Sequence, residues 1–202
     1  MTADVQKPST REAILDATDR LMARYGFRKM TLEDVAREAG ISKRTIYLQF
    51  RSKEDVGLSS IGRVVGRVID ELERIAESSA PRQVRLRRLL ERRVMGRIEQ
   101  VQDYAHSLDE LFEVVRPAYL ARRAVVFAQE TAILAGVLAE PGPAKDHHRR
   151  IAEALLLATN AFLPYSLSPR ELGSPESIAE RLDSMIDTLL CGAIELSRDD
   201  QP

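Results

Sequence analysis

With 202 residues, 44% of them hydrophobic and 30% charged, and a formal net charge of -1 at pH 7, the chain has the composition of a soluble globular protein of one or two small domains. No stretch of roughly twenty apolar residues is free of charge, which excludes a membrane-spanning helix. The single cysteine, Cys191, cannot form an intramolecular disulfide, and no charged segment followed by an apolar one opens the chain, so we expect a cytoplasmic protein.

The composition favours an all-α fold, because Ala, Leu, Arg and Glu are abundant and alternating runs of Val, Ile and Thr are few. Residues 1–8 are polar and lack periodicity, so we predict a disordered arm there. Ser9 and Glu12 then have the spacing of a capping box, and apolar residues recur at helical intervals until Gly26, a typical C-terminal stop. The apolar residues of this first helix are Ile14, Ala17, Leu21, Met22 and Tyr25.

A short second helix is predicted between Thr31 and Gly40. Thr31 and Asp34 have the spacing of a second capping box, and glycine most easily adopts the left-handed backbone that ends a helix. Small Ala36 would let two helices approach closely. This helix spans only about two turns and would pack through Leu32, Val35, Ala36 and Ala39.

A third short helix, capped by Ser42, would turn Ile46 and Phe50 towards the core. From Ile41 to Lys53 there are four basic residues and no acid. We therefore interpret residues 31–50 as a helix-turn-helix, with the third helix small enough to enter the major groove of DNA. Its outward residues are Lys43, Arg44, Thr45, Tyr47, Leu48 and Gln49.

Longer helices follow. A fourth helix, capped by Ser52 with Asp55, is predicted from Lys53 to the serines before Pro81. Further helices are predicted over 82–102, 108–115, 117–139, 145–163 and 175–197, with breaks at 141–143 and 164–173. The predicted organisation is thus an arm over 1–8, a three-helix DNA-binding domain over 9–55 and a larger helical domain over 56–202.

The run from Arg11 to Val56 resembles the tetracycline-repressor (TetR) family. The matching motifs are Gly26-Phe27, Thr31-Leu32-Glu33-Asp34-Val35-Ala36, Ala39-Gly40-Ile41-Ser42-Lys43, Thr45-Ile46-Tyr47 and Phe50-Arg51-Ser52-Lys53-Glu54. The resemblance implies a homodimeric repressor of double-stranded operator DNA whose larger domain binds a small-molecule effector and forms the dimer. The sequence departs from the family pattern at three positions. The family commonly has a small residue in place of Arg44, and an aromatic residue or histidine in place of Leu48 and Gln49.

The resemblance also implies roles for single residues at the DNA. Thr31, Ser42, Tyr47 and Lys53 would contact phosphates, whereas Lys43, Arg44 and Thr45 would face base edges, with Gln49 on the same surface. The Arg44 guanidinium can bind guanine O6 and N7 together, a contact worth about 1–3 kcal/mol of discrimination. The alternatives are a salt bridge for Arg44 and a place in the core for Tyr47.

In the larger domain, several aromatic residues and one methionine could line an apolar effector pocket, with core packing as the alternative for each. These residues are Met95, Tyr104, His106, Phe112, Tyr119, Phe127 and Phe162. The stretch 82–97 holds seven arginines and one acid, Glu91. Such a run would bind an anionic effector such as an acyl thioester, or would pair with acids elsewhere in the chain.

Dimerisation is predicted because one short recognition helix reads few bases, whereas two related by a two-fold axis read a pseudo-palindromic operator. In this family the last two long helices form the interface, here with apolar stripes on both. The stripes comprise Ala154, Leu155, Leu157, Ala158 and Ala161, and Ile178, Leu182, Met185, Leu189 and Ile194. An effector would release DNA by shifting the fourth helix and so changing the separation of the recognition helices.

Other classes of function are less compatible with the sequence. His106, His147 and His148 lack the spacing of a metal site, Cys191 has no candidate catalytic partner, and Gly-rich phosphate loops are absent, so we expect no enzyme, metal or cofactor. A helical interaction scaffold without DNA binding would leave the basic segment Ile41 to Lys53 unexplained. An activator of the same fold is an open alternative.

Overall fold

The computed structural model describes residues 9–164 and 173–196, and their regular structure is helical without a strand, which confirms the all-α prediction. The helices are α1 (Thr10–Tyr25), α2 (Leu32–Glu38), α3 (Lys43–Gln49), α4 (Lys53–Ala76), α5 (Arg82–Val101), α6 (Leu108–Ala139), α7 (Asp146–Thr159) and α8 (Pro175–Leu196). Short 3-10 segments, Gln102–Ser107 and Asn160–Phe162, follow α5 and α7. The predicted arm over 1–8 and most of the predicted break at 164–173 lie outside the described residues.

The chain divides into two compact units. Among the described residues, the first comprises 9–63 and Asp103–Ala118, and the second comprises Val64–Gln102, 119–164 and 173–196. Helices α4 and α6 each contribute residues to both units. Within the described ranges no helix is both long and apolar enough to cross a membrane.

Side-chain caps begin the first three helices at the predicted residues. Ser9 Oγ accepts a hydrogen bond from the Glu12 amide at 3.2 Å, but the Glu12 carboxylate binds an arginine of α4, so only half of this capping box forms. Thr31 and Asp34 form the complete, reciprocal box. Ser42 accepts from the amide three residues later at 3.1 Å. These caps satisfy amides that a helix start otherwise leaves without partners.

Apolar side chains of α1 to α4 form the core of the first unit. Gly57 lies where a Cβ would approach Phe27 Cε2 to 2.8 Å and Leu111 Cδ1 to 2.7 Å, so a glycine is required for this packing. Tyr25, predicted on the apolar face of α1, is 51% exposed, and the Arg24 guanidinium lies 5.7 Å from its ring centroid. The core side chains include Ile14, Leu15, Leu21, Met22, Met30, Leu32, Val35, Ile46, Phe50 and Val56.

An ionic cluster joins α1 to α4. The Arg63 guanidinium, with a side chain only 8% exposed, donates to Glu12 at 2.9 Å, to Asp16 at 2.6 Å and to Asp19 at 2.5 Å. Burial raises the pKa of Asp19, although hydrogen bonds from Ser60 and Arg63 act in the opposite direction. One buried cation therefore holds three carboxylates of α1 against α4.

The prediction of separate helices over 108–115 and 117–139 is wrong, because α6 continues through Pro117. A proline removes one backbone donor and usually ends or kinks a helix. Here 32 residues supply helical hydrogen bonds on both sides of the proline, so the loss of one does not end the helix. The boundary between the two units falls directly after Ala118.

Two buried arginines of α5 share one buried carboxylate in the second unit. Arg93 Nε and Arg97 Nη2 donate to opposite oxygens of Glu130, at 2.9 and 2.5 Å, and all three side chains are at most 7% exposed. Arg93 also donates to Thr159 Oγ1 at 2.8 Å and to Asn160 Oδ1 at 2.7 Å. A buried charge is tolerable only with such pairing and hydrogen bonding. Glu130 is therefore the counter-charge of two guanidinium groups.

The remaining arginines of α5 also bind acids or carbonyls, apart from Arg88, which is exposed. Arg82 donates to the backbone carbonyls of Leu138 and Glu140, and Arg85 pairs with the Glu140 carboxylate. Arg87 pairs with Glu91, Asp183 and Asp187. Arg92 pairs with Glu71 and Glu99. Of the two interpretations of this basic run, the structure supports pairing with acids elsewhere in the chain.

We predict that Glu130→Gln destabilises the fold strongly, because it leaves two buried guanidiniums without a counter-charge. Breaking a buried ion pair costs about 3–5 kcal/mol. The matched control is Glu99→Gln, which removes the charge of a half-exposed partner of Arg92 and should cost at most about 1 kcal/mol. Urea unfolding at one fixed protein concentration measures both, and equal, small losses would contradict the role assigned to Glu130.

Candidate DNA-binding site

The helices α2 and α3 are joined by a tight turn at Gly40. Gly40 has φ +67°, in the left-handed region that favours glycine, and a Cβ there would meet no atom within 4 Å. The glycine is thus needed for backbone conformation and not for space. The Ile41 amide donates to the Ala36 carbonyl at 2.9 Å, which fixes the direction in which the chain enters α3.

Two buried side chains attach α3 to the first unit. Ile46 is fully buried, and Phe50, directly after α3, is 2% exposed. The Arg11 guanidinium lies 4.2 Å from the Phe50 ring centroid and also donates to the Gln49 carbonyl at 3.2 Å. The C-terminal end of α3 is therefore held by α1 through an aromatic ring and a backbone carbonyl.

The opposite side of α3 is open to solvent. Tyr47 is 53% exposed, so the alternative of a core position for its ring does not hold. Arg44 is exposed and makes no ion pair with any described residue, so the salt-bridge alternative is not observed either. Thr45 is half-buried. The exposed residues of α3 and its cap are Ser42, Lys43, Arg44, Tyr47, Leu48 and Gln49.

Both predicted lysine contacts have partners within the first unit. Lys43 Nζ donates to Glu33 at 2.8 Å, and this hydrogen bond raises the pKa of Lys43 and lowers the pKa of Glu33. Lys53 Nζ donates to the Arg28 carbonyl at 3.0 Å and lies 4.6 Å from the Phe27 ring centroid, and burial lowers its pKa. An ammonium group has three donors, so Lys53 can bind a phosphate while it keeps the carbonyl.

The hydroxyls of Thr31 and Ser42 are used in helix caps. Thr31 Oγ1 lies 2.6 Å from the Asp34 carboxylate, and this hydrogen bond lowers the pKa of Asp34. Ser42 Oγ lies 2.8 Å from Thr45 Oγ1. A hydroxyl has a single hydrogen, so Thr31 can donate to a phosphate only by giving up Asp34. The phosphate contacts of both residues stay predictions.

The residues predicted to line an effector pocket belong to different elements of the two units. Tyr104, His106 and Phe112 belong to the first unit, whereas Met95, Tyr119, Phe127 and Phe162 belong to the second. Tyr104 and Phe162 are buried, His106 is exposed and the others are half-buried. The aromatic type of these residues does not indicate which of them meet, and their role stays a prediction.

A groove of about 560 Å³ in the second unit has a different lining. It lies between α7 and α8, with Ile151, Ala154 and Leu155 on one side and Leu189 and Gly192 on the other. Ala154, Leu155 and Leu189 belong to the predicted apolar stripes of these helices, whereas Ile151 and Gly192 do not. In the described ranges no group of three His, Cys, Asp or Glu side chains could hold a metal ion.

A family model described as bacterial regulatory proteins of the tetR family matches residues 14–57, which include all of α2 and α3. Over these residues the chain is similar to the TetR family. TetR-family regulators bind DNA, and the matched segment contains the helix-turn-helix of the first unit.

Curated relatives of the chain are transcriptional regulators. An uncharacterized HTH-type transcriptional regulator from Bacillus subtilis (strain 168), YerO, is 32% identical over 97 residues, which cover 46% of this chain and 32% of that protein. The first relatives are therefore matched over well under two thirds of their own length. The HTH-type transcriptional regulator BetI from Rhizobium meliloti (strain 1021) is 26% identical over 86% of each chain.

Solved structures match the fold of this chain over nearly its whole length. A transcriptional regulator from Cytophaga hutchinsonii ATCC 33406 has a TM-score of 0.68 at 20% identity and covers 91% of this chain and 96% of that one. FadR from Bacillus subtilis, in complex with stearoyl-CoA, has a TM-score of 0.66 at 18% identity, over 90% of this chain and 98% of that chain. At such identities the similarity concerns the fold alone.

We predict that Tyr47→Phe weakens binding to every DNA fragment by a similar factor and leaves stability unchanged. Tyr47 is 53% exposed, and one hydrogen bond to a phosphate contributes about 0.5–1.5 kcal/mol without reading sequence. The matched control is Tyr25→Phe, because that tyrosine is 51% exposed at the end of α1. Fluorescence titration of several fragments measures the effect, and a loss confined to one sequence would contradict a phosphate contact.

Proposed function

We propose that this protein is a ligand-responsive repressor that binds a pseudo-palindromic operator as a homodimer and acts in the cytoplasm. The observation that carries the proposal is the open face of α3, where Arg44 and Tyr47 are exposed while Ile46 and Phe50 are buried. A helix anchored on one side and polar on the other is suited to lie in a major groove.

The proposed contacts divide into two kinds. Lys43, Arg44, Thr45 and Gln49 are assigned to base edges. Thr31, Ser42, Tyr47 and Lys53 are assigned to phosphates, which position the protein but carry no sequence information. Arg44 is the strongest base reader of the set, because its exposed guanidinium has no carboxylate partner among the described residues and can bind guanine with two hydrogen bonds.

The proposed dimer interface lies on α7 and α8. Leu157 is 60% exposed and Ala154 and Ala161 are exposed on or next to α7, and the apolar groove adjoins them. Exposed apolar side chains next to small residues such as alanine let helices of two subunits pack closely together. Leu155, Ile178 and Leu182, also predicted for the stripes, are buried within the chain, and the side chain of Ile194 lies outside the described residues.

The proposed release from DNA is triggered by a small-molecule effector. The likeness in fold to FadR, crystallised with stearoyl-CoA, supports a helical body that accepts a small molecule. The arginines of α5 do not support an anionic effector, because most of them bind carboxylates or carbonyls of the chain. The proposed effector is therefore defined only as a small molecule that favours one spacing of the two α3 helices over another.

The proposal is tested by recovering the genomic fragments that the full chain binds most tightly and titrating them at several salt concentrations. We expect a two-fold symmetric site, a steep fall of affinity with salt, and a loss of sequence preference of about 1–3 kcal/mol in Arg44→Ala. The control is Arg116→Ala, which removes an exposed arginine from α6. Equal binding to all fragments would contradict sequence-specific regulation.

A separate experiment tests the dimer. Leu157→Glu places a charge on the proposed interface and should convert the protein to a monomer that binds one half-site weakly. Val84→Glu, at a 36% exposed position on α5, is the matched control and should stay dimeric. Sedimentation velocity measures both masses. A dimeric Leu157→Glu variant, or a monomeric wild type, would contradict the proposed interface.

A further inference from the structure

Leu48 is an unexpected residue at the centre of the open face of α3. Its side chain is 72% exposed, and no other large hydrophobic side chain in the described ranges is as exposed. Leaving a leucine in water forgoes about 1.5–3 kcal/mol of burial. Leu48 adds nothing to the core, because Ile46 and Phe50 already bury that side of α3.

The geometry of the helix sets the direction of Leu48. Successive residues of an α-helix rotate by about 100°, so Arg44 and Leu48 each lie about 160° around α3 from the buried Ile46. The two residues are four apart and therefore neighbours on one face. The face of α3 that points most directly away from the core is thus a guanidinium beside an isobutyl group.

The surroundings of Leu48 select its contact. Lys43 and Arg44 on α3 and Arg51 just after it are exposed cations, and an apolar protein surface would have to cover these charges to reach the leucine. The major groove of DNA combines phosphates, which favour the cations, with one apolar group on a base edge, the C5-methyl of thymine. A major groove that contains a thymine therefore offers phosphates to the cations of this face and an apolar group to Leu48.

We propose that Leu48 reads sequence by contacting the C5-methyl group of a thymine next to the base pair that Arg44 contacts. The inference rests on the proposed function, because it requires α3 to lie in the major groove. It assigns to Leu48 a specificity that the hydrogen-bonding residues of α3 do not supply. Each half-site of the operator then contains a thymine at a fixed distance from the guanine bound by Arg44.

The test uses the operator fragment that the wild-type protein selects. Each thymine is replaced in turn by deoxyuridine, which differs only in lacking the C5-methyl group. At one position per half-site we expect wild-type binding to weaken by about fourfold, the loss for one buried methyl group. Leu48→Ala should bind the thymine and deoxyuridine fragments equally, whereas Leu48→Met should keep the preference for thymine.

Two controls separate this contact from indirect effects. Arg44→Ala should keep the response to deoxyuridine, and Val114→Ala, which shortens a 46% exposed apolar side chain on α6, should behave as wild type. Thermal melting should show that Leu48→Ala is folded, because Leu48 is 72% exposed.

The possible results have distinct meanings. If the wild type selects no specific fragment, the proposed function and this inference both fail. If a specific fragment is selected but no deoxyuridine substitution weakens binding, or if Leu48→Ala retains the full response, regulation by DNA binding stands and the assignment to Leu48 is overturned. An operator without thymine in the half-sites would overturn it as well.

Discussion

The anchoring of α3 by Ile46 and Phe50 is the interaction on which the DNA-binding surface depends. A helix of seven residues is too short to be stable in water, so tertiary packing must hold it. Burying these two side chains fixes the rotation of the helix about its axis and thereby selects which residues face outward. The cap at Ser42 and the left-handed Gly40 fix where the helix begins and from which direction the chain enters it.

The charged residues serve two different purposes in the two units. In the second unit, arginines of α5 form ion pairs that stabilise the fold, such as those of Arg93 and Arg97 with Glu130. In the first unit, Arg63 does the same against α1, whereas Arg44 stays exposed without a carboxylate partner in the described ranges. A net charge of -1 therefore conceals a small cationic surface around α3, while many arginines elsewhere are paired with carboxylates. The density of arginines along the sequence is thus a poor guide to where an anion binds.

Local signals in the sequence predicted the first unit well. A helix cap is recognisable from two residues three positions apart, and a turn from a glycine directly after a helix. The helix starts at Ser9, Thr31 and Ser42 and the turn at Gly40 were therefore predictable. The continuation of α6 through Pro117 was not, because it depends on helix length on both sides of the proline. Pairs such as Arg87 with Asp183 join residues remote in sequence, and no periodicity reveals them. The predicted effector residues are likewise remote from one another in sequence, and their aromatic type does not indicate which of them lie in contact.

Amide hydrogen exchange with and without the selected DNA fragment tests the central claim most directly, because it maps the contacted backbone without any substitution. We expect amide exchange to slow on DNA binding in α2, in the turn at Gly40 and in α3. The DNA concentration needed for this protection should rise with salt, as the affinity measured in the titrations falls. Slower exchange confined to α5, α7 or α8, with α3 unchanged, would contradict the assignment of α3 as the helix that reads DNA.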